Sequence, residues 1–195
     1  VTDQLSFFSA DMAVPAVSDL AGLLVAHGQA FRAGGRTRVS VVLDAPWRAV
    51  AVAELVRETG LTAETDVSEQ GAPLVRTGGS DGLAALGRAW TKGAVKAVPR
   101  GWVPDGRALR AWALAAGRCQ DNDYVLGLDP HAPDTHQAAA AALARAGLAS
   151  ILLGARGGGP SLRVSGRRRV LRLSEMLGSA PSAVPASGYW PVAKR

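Results

Sequence analysis

Carboxylates, histidines and cysteines carry most enzyme chemistry, and in this sequence they are sparse and scattered. The 195 residues hold three histidines, one cysteine and 16 acids, against 22 lysines and arginines. Ser, His and Cys are present, but not at the spacing of a nucleophile and its base. His27 stands between an apolar helix and Gly28, where an imidazole interacts with the helix dipole. As a ligand it would suit a transition metal better than magnesium, which prefers oxygen. Asp121 and Asp123 bracket Asn122 in a turn. They could offer oxygens to a metal, although turn aspartates commonly bond their own backbone. Cys119 follows Arg118, a cation able to lower a thiol pKa, yet an isolated cysteine is more often a small packed side chain. Gly78-Gly79 and Gly157-Gly158-Gly159 lack the Gly-Lys-Ser/Thr of a phosphate loop and read as hairpin turns. These residues predict no cofactor and no metal site.

The cations form a clearer pattern. The formal charge is +6, with a pI near 10.4. Seven basic residues and one acid lie in 86–118, and again seven and one in 160–195, so the remainder is acidic on balance. Such clustering fits an anion-facing surface. A single cysteine excludes an internal disulfide and fits a reducing compartment. No apolar run reaches the roughly 18 residues of a membrane helix, and residues 1–10 lack the basic flank and apolar block of a signal peptide. The expected location is the cytoplasm, with no membrane partner.

The elements that must position these side chains repeat. Residues 1–15 form a lead-in whose Phe7 and Phe8 are expected to tuck against the body. Pro15 opens a helix over 16–26 that stops at Gly28. Strand-like stretches at 30–33 and 37–43 flank Gly34-Gly35, a hairpin signal. Asp44 is placed to cap a helix over 46–59, a second hairpin spans 61–67 and 72–77, and a helix covers 81–90. Glycines and prolines break any periodicity in a linker over 91–106. The order then recurs. A helix at 107–116 stops at Gly117, with strands at 118–120 and 124–128. Asp134 or Thr135 caps a helix running to Arg145, strands follow at 150–155 and 161–164, and a last helix spans 167–177. Each half, 16–90 and 107–180, reads αββαββα, an α+β class with antiparallel sheets and helices on one face. A Pro/Ser-rich tail fills 181–195. Trp47, Trp90 and Trp112 fall in predicted helices and belong in the core, whereas Trp102 and Trp190 are free to seal the two halves or a partner.

The first helix carries Leu20-Ala21-Gly22-Leu23 and ends in Gly28; its echo is Leu109-Arg110-Ala111-Trp112-Ala113-Leu114-Ala115-Ala116-Gly117. With the element order, these segments resemble the LAGLIDADG homing endonucleases in their single-chain, two-repeat form. The resemblance implies a monomer in which the two motif helices pack along an internal pseudo-two-fold axis. In that family an acid just before the glycine of each motif meets divalent metals at the scissile phosphates. Those positions here are His27 and Ala116, and the acids two residues earlier are replaced by Val25 and Leu114. The second motif, the 170–180 segment and the linker into Pro99-Arg100-Gly101 are similar to the amino-terminal domain of the WhiA family of bacterial sporulation regulators, itself a LAGLIDADG scaffold without its acids.

The resemblance implies a non-catalytic, nucleoid-associated regulator of transcription whose partner is double-stranded DNA held by the concave sheet faces. The strand and turn residues implied as contacts are Arg32, Arg36, Arg38, Arg76, Arg156 and Arg163. Lys92, Lys96 and Arg100 follow in the linker, with Arg167, Arg168 and Arg169 at a helix start. Three cations at a helix N-terminus oppose the dipole, which points to a phosphate or partner there. WhiA-type regulators continue into a helix-turn-helix domain with no counterpart in these residues, so a separate helix-turn-helix protein or another transcription factor is an expected partner. The alternative is a protein-interaction module whose arginines and Trp190 tail engage an acidic protein. Third stands a nuclease with ligands relocated to Asp121 and Asp123.

Overall fold

The computed structural model describes residues 9–154 and 158–191; Phe7, Phe8 and Arg156 lie outside them. Two four-stranded antiparallel sheets have the same strand order. The first runs β1-β2-β4-β3, with β1 Gln29–Ala33, β2 Arg36–Val42, β3 Ala63–Val67 and β4 Pro73–Thr77. The second runs β7-β8-β10-β9, with β7 Gly117–Gln120, β8 Asp123–Gly127, β9 Ile151–Leu153 and β10 Ser161–Val164. Helices α1 Ala21–Val25, α2 Pro46–Glu58 and α3 Ala84–Ala89 accompany the first sheet, and α4 Gly106–Ala116, α5 His136–Arg145 and α6 Arg167–Leu177 the second. This is the duplicated α+β arrangement that the sequence predicts.

Alternation sets the faces. In β2, Thr37, Val39 and Val41 are buried beneath the helices, while Arg36 and Val42 are exposed on the other side. Gly34 and Gly35 turn the β1–β2 hairpin with φ of 58° and 79°, a conformation open to glycine at little cost.

The two motif helices cross at their smallest residues. A Cβ added to Gly22 would overlap the Ala108 carbonyl oxygen and stand 2.7 Å from Trp112 N and 2.8 Å from the Ala111 Cβ. Only glycine permits that approach. Around the crossing Leu20, Leu23, Leu24, Leu109, Trp112 and Leu114 are fully buried, and the Trp112 indole donates to Gly127 O at 2.8 Å. At the opposite end Arg107 forks between Asp19 (2.8 Å) and Glu58 (2.7 Å), tying the start of α4 to the start of α1 and the end of α2.

Four local expectations are revised. The first helix is a 3₁₀ turn, Val17–Leu20, followed by only five α-helical residues, because its backbone turns out after Val25 so that Gly28 N can bond Leu23 O. Asp44 does not cap α2; Ala45 is the N-cap, Pro46 needs no donor partner, and Asp44 turns to Arg48 instead. Thr135, not Asp134, holds the N-cap position of α5, but without a side-chain capping bond: a 3₁₀ turn, Pro133–Thr135, leads in, and the Thr135 hydroxyl donates backwards to Ala132 O. The 91–106 stretch contains a two-stranded ribbon, β5 Thr91–Lys92 and β6 Val95–Lys96, turning at Gly93.

The tail is docked. Trp190 is buried, its indole donating to Gly178 O, and Tyr189 packs on Trp47 of the first half while its carbonyl accepts from Tyr124 of the second. Trp190 therefore serves its own chain, which removes it from the partner-binding role the sequence left open. Trp112 and Trp90 are buried as expected, and Trp102 meets Trp90 edge-on at 4.9 Å.

Candidate nucleic-acid interface

Strand register assembles the outward faces. In the first sheet one row reads Gln29, Ser40, Arg76, Glu64 across β1, β2, β4 and β3; Arg38 opposite Phe31 and Arg36 opposite Ala33 extend it towards the hairpin tip. In the second sheet the corresponding row reads Arg118, Val125, Arg163, Ile151 across β7, β8, β10 and β9. An arginine therefore recurs at the same place in both sheets, Arg76 and Arg163. Arg76 is held by Asp66 at 2.9 Å; Arg163 lies 3.8 Å from Asp123, too far for a hydrogen bond, and among the described residues its Nε has no hydrogen-bond partner. Arg38 Nε is likewise buried and unpaired among the described residues.

The other predicted contacts separate. Arg32 pairs in register with buried Thr37, so it projects from the face opposite Arg36 and Arg38 and donates to Gly35 O. Lys92 is exposed on the ribbon and Arg100 in the turn after it. Arg167, Arg168 and Arg169 are exposed at the start of α6, which buries Leu173, Met176 and Leu177 against α4 in the helical layer. Arg118 escaped the sequence argument. Its neighbour Cys119 is packed against the core, and alternation from that residue would have turned Arg118 outward.

Between the sheets, where α1 and α4 end, the residues form an internal ionic junction. Lys96, 6% exposed, donates to Asp129 Oδ2 at 2.6 Å and to Ala26 O at 3.1 Å, closing the end of α1. The same Oδ2 accepts from Gln29 at 2.7 Å, and Oδ1 from the His131 N–H at 2.9 Å. Burial pushes the Asp129 carboxyl up, but Lys96, the His131 N–H and Gln29 outweigh it and hold the group below its ordinary value. Burial also holds Lys96 below an ordinary lysine, and the 2.6 Å contact is that of a charged pair. At the end of α4 the buried Arg48 guanidinium donates to Ala113 O, Leu114 O and Gly117 O and pairs with Asp44 at 2.6 Å. Each motif helix thus ends on a cation supplied from elsewhere in the chain.

His27 and Ala116 both flank Gly127: a Cβ there would stand 3.0 Å from the Ala116 Cβ and 3.8 Å from His27 Cε1. Burial lowers the His27 pKa, and nearby Asp129 only partly opposes it. His27 offers one ring nitrogen, Ala116 offers no side-chain ligand, and Asp129 is already neutralised by Lys96. These residues do not fit the divalent cations that the resemblance brings, and no metal-assisted step follows from them. Asp121 sits in the β7–β8 turn at φ 52°, and Asp123 accepts from Ser165 Oγ at 2.8 Å. Burial pushes the Cys119 thiol up, and its Sγ–H rests on Trp190 O, as in a structural cysteine.

No protein-family model and no curated protein matches the sequence. Solved structures do. The homing endonuclease I-WcaI bound to its DNA recognition sequence superposes with a TM-score of 0.62 at 10% identity, over 90% of this chain and 87% of that one. Full-length DUF199/WhiA from Thermatoga maritima gives 0.58 at 14% identity over 85% of this chain, which spans 56% of that longer protein. The N-terminal LAGLIDADG domain of DUF199/WhiA gives 0.52 at 12% identity, covering 85% and 81% of the two chains. At such identities the likeness is one of architecture, and by architecture this protein has a LAGLIDADG-like fold.

Proposed function

We propose that this protein binds duplex DNA without cutting it and acts as a regulator of transcription, the two outward sheet faces straddling the double helix. The observation that carries the proposal is the pairing of arginine-bearing outward faces with a central junction closed by the protein's own ions. Arg36, Arg38, Arg76, Arg118 and Arg163 share the outward side, and side chains at this spacing along strands reach phosphates and base edges together. A monomer with internal two-fold pseudo-symmetry, working at the nucleoid, fits this geometry. Anisotropy of labelled duplexes across a salt series tests it. Affinity should fall linearly with salt on a log–log plot, and Arg118→Ala with Arg163→Ala should together make the slope shallower by about two. Absence of binding even at low ionic strength sinks the proposal. Supercoiled plasmid incubated with magnesium or manganese should stay intact; metal-dependent nicking would overturn the non-catalytic part, including our account of His27 and Ala116.

A second reading has its own support. Arg167, Arg168 and partly exposed Leu171 lie on α6, on the helical side, where DNA bound to the sheets would leave them free for an acidic protein or a helix-turn-helix partner.

A further inference from the structure

Arg32, turned away from the sheet face, has a different setting. Beside β1 lies a cavity of about 420 Å³ lined by Ala30, Thr37 and Gly87. Arg32 from β1, Arg88 from α3 and the ribbon turn at Gly93 and Ala94 line it as well. Sequence packs these elements closely. A Cβ on Gly87 would stand 2.9 Å from Thr37 Cγ2, so only a bare backbone lets α3 settle there and bring Arg88 beside the strand. The Thr91 hydroxyl donates to Gly87 O and fastens the ribbon to the end of α3. The turn residues Gly93 and Ala94, without long side chains, leave the mouth open.

Charge decides what could enter. No acid lines the cavity, and among the described residues neither Arg32 nor Arg88 pairs with a carboxylate. Lys92, exposed next along the ribbon, adds a third positive charge nearby. The guanidinium groups of Arg32, which gives one N–H to Gly35 O, and of Arg88 both line the cavity, and their other planar N–H donors match the oxygens of a phosphate. The apolar share of the lining, Ala30, Phe31 and Ala84, suits an uncharged body attached to it. The volume exceeds that of a bare phosphate and lies in the range of small-ligand sites.

We infer that this cavity is a phosphate-binding site, gripped by Arg32 and Arg88, distinct from the outward sheet faces. The phosphate belongs either to a small phosphate ester or to the flank of a duplex reaching past the β1 edge. Thermal melting of the full chain with adenosine monophosphate, against chloride at matched ionic strength, tests the first source. At about five times Kd the midpoint should rise by about 2–4 °C. The rise should vanish in the double variant Arg32→Ala/Arg88→Ala, whose melt in chloride should match the parent because both side chains are exposed. Anisotropy with a short and a longer duplex tests the second source: the double variant should lose about tenfold in affinity for the longer one alone. An unchanged midpoint with the ester together with unchanged affinity for both duplexes overturns the site, as does an ester shift that survives in the double variant. The ester experiment is independent of DNA binding, so the site and the proposed function can fail separately.

Discussion

Replacing Lys96 by methionine keeps the length and much of the volume of the side chain but removes the ammonium that Asp129 meets at 2.6 Å. Asp129 is 3% exposed in its side chain, so the carboxylate left behind would be buried with only the Gln29 amide and the His131 N–H as donors. Breaking one side of a buried pair costs about 3–5 kcal/mol. With two donors remaining we expect the lower end, about 3 kcal/mol, read as a shift in the urea midpoint at constant m-value. The companion variant Asp129→Asn in the Lys96→Met background should recover more than half of that loss, because the surviving partner is then neutral. The pH dependence carries the sign. In the parent, the Asp129 pKa is held below its unfolded value, so its contribution is complete at neutral pH and is lost as pH falls through the folded value. In Lys96→Met, burial would dominate and raise the carboxyl above its unfolded value of about 3.9. The contribution then reverses: the deficit should be full at pH 7 and shrink as pH is lowered towards 4. A loss below about 1 kcal/mol, or one that does not change with pH, would refute the account of Lys96 as the partner that makes this junction tolerable.

Gly22→Ala should destabilise by about 3 kcal/mol or more, since the new methyl meets the α4 backbone rather than a movable side chain; a melt within 1 kcal/mol of the parent would mean that the helices do not cross as described. His27→Gln should flatten the acid limb of the stability–pH curve. Burial lowers the His27 pKa, so the parent loses stability as pH falls below about 6.5 and through the lower folded value, and an unchanged limb would place that loss elsewhere. Arg48→Lys keeps the charge but cannot fork to three carbonyls and Asp44 together, and about 2–4 kcal/mol should be lost in the same melts; a silent substitution would remove Arg48 from its role at the end of α4.

Local chemistry made most elements legible. The Gly34-Gly35 turn, the alternation of Thr37, Val39 and Val41, and the stop at Gly117 each specify their own element without help from the rest of the chain. The interface was less legible, because the face of a charged strand residue depends on its neighbours' register. Arg32 and Arg36 look alike in sequence, yet pairing with Thr37 sends one to the helical side and pairing with Ala33 leaves the other outward. Lys96 stands among the implied DNA contacts in the sequence because its actual partner, Asp129, is 33 residues away, and the sequence gives no sign of Arg48's role because its acceptors are 65 to 69 residues away. Long-range pairing has no local pattern. The ribbon at 91–96 was missed for a different reason: two-residue strands are too short to show any period.

The brevity of α1 has a consequence for how this chain must fold. Five helical residues cannot hold a helix in water, where nucleation is costly and isolated helices need about 12–15 residues to be even marginal. The segment gains its shape only when α4 arrives to cover Gly22, and the Arg107–Asp19 pair that aligns the two helices joins residues 88 apart. The first half therefore completes its own core late, waiting for contacts distant in sequence, and its folding rate should follow that long loop closure rather than its local hairpins. The two sheets share one strand order, and the two halves should share one rate-setting event.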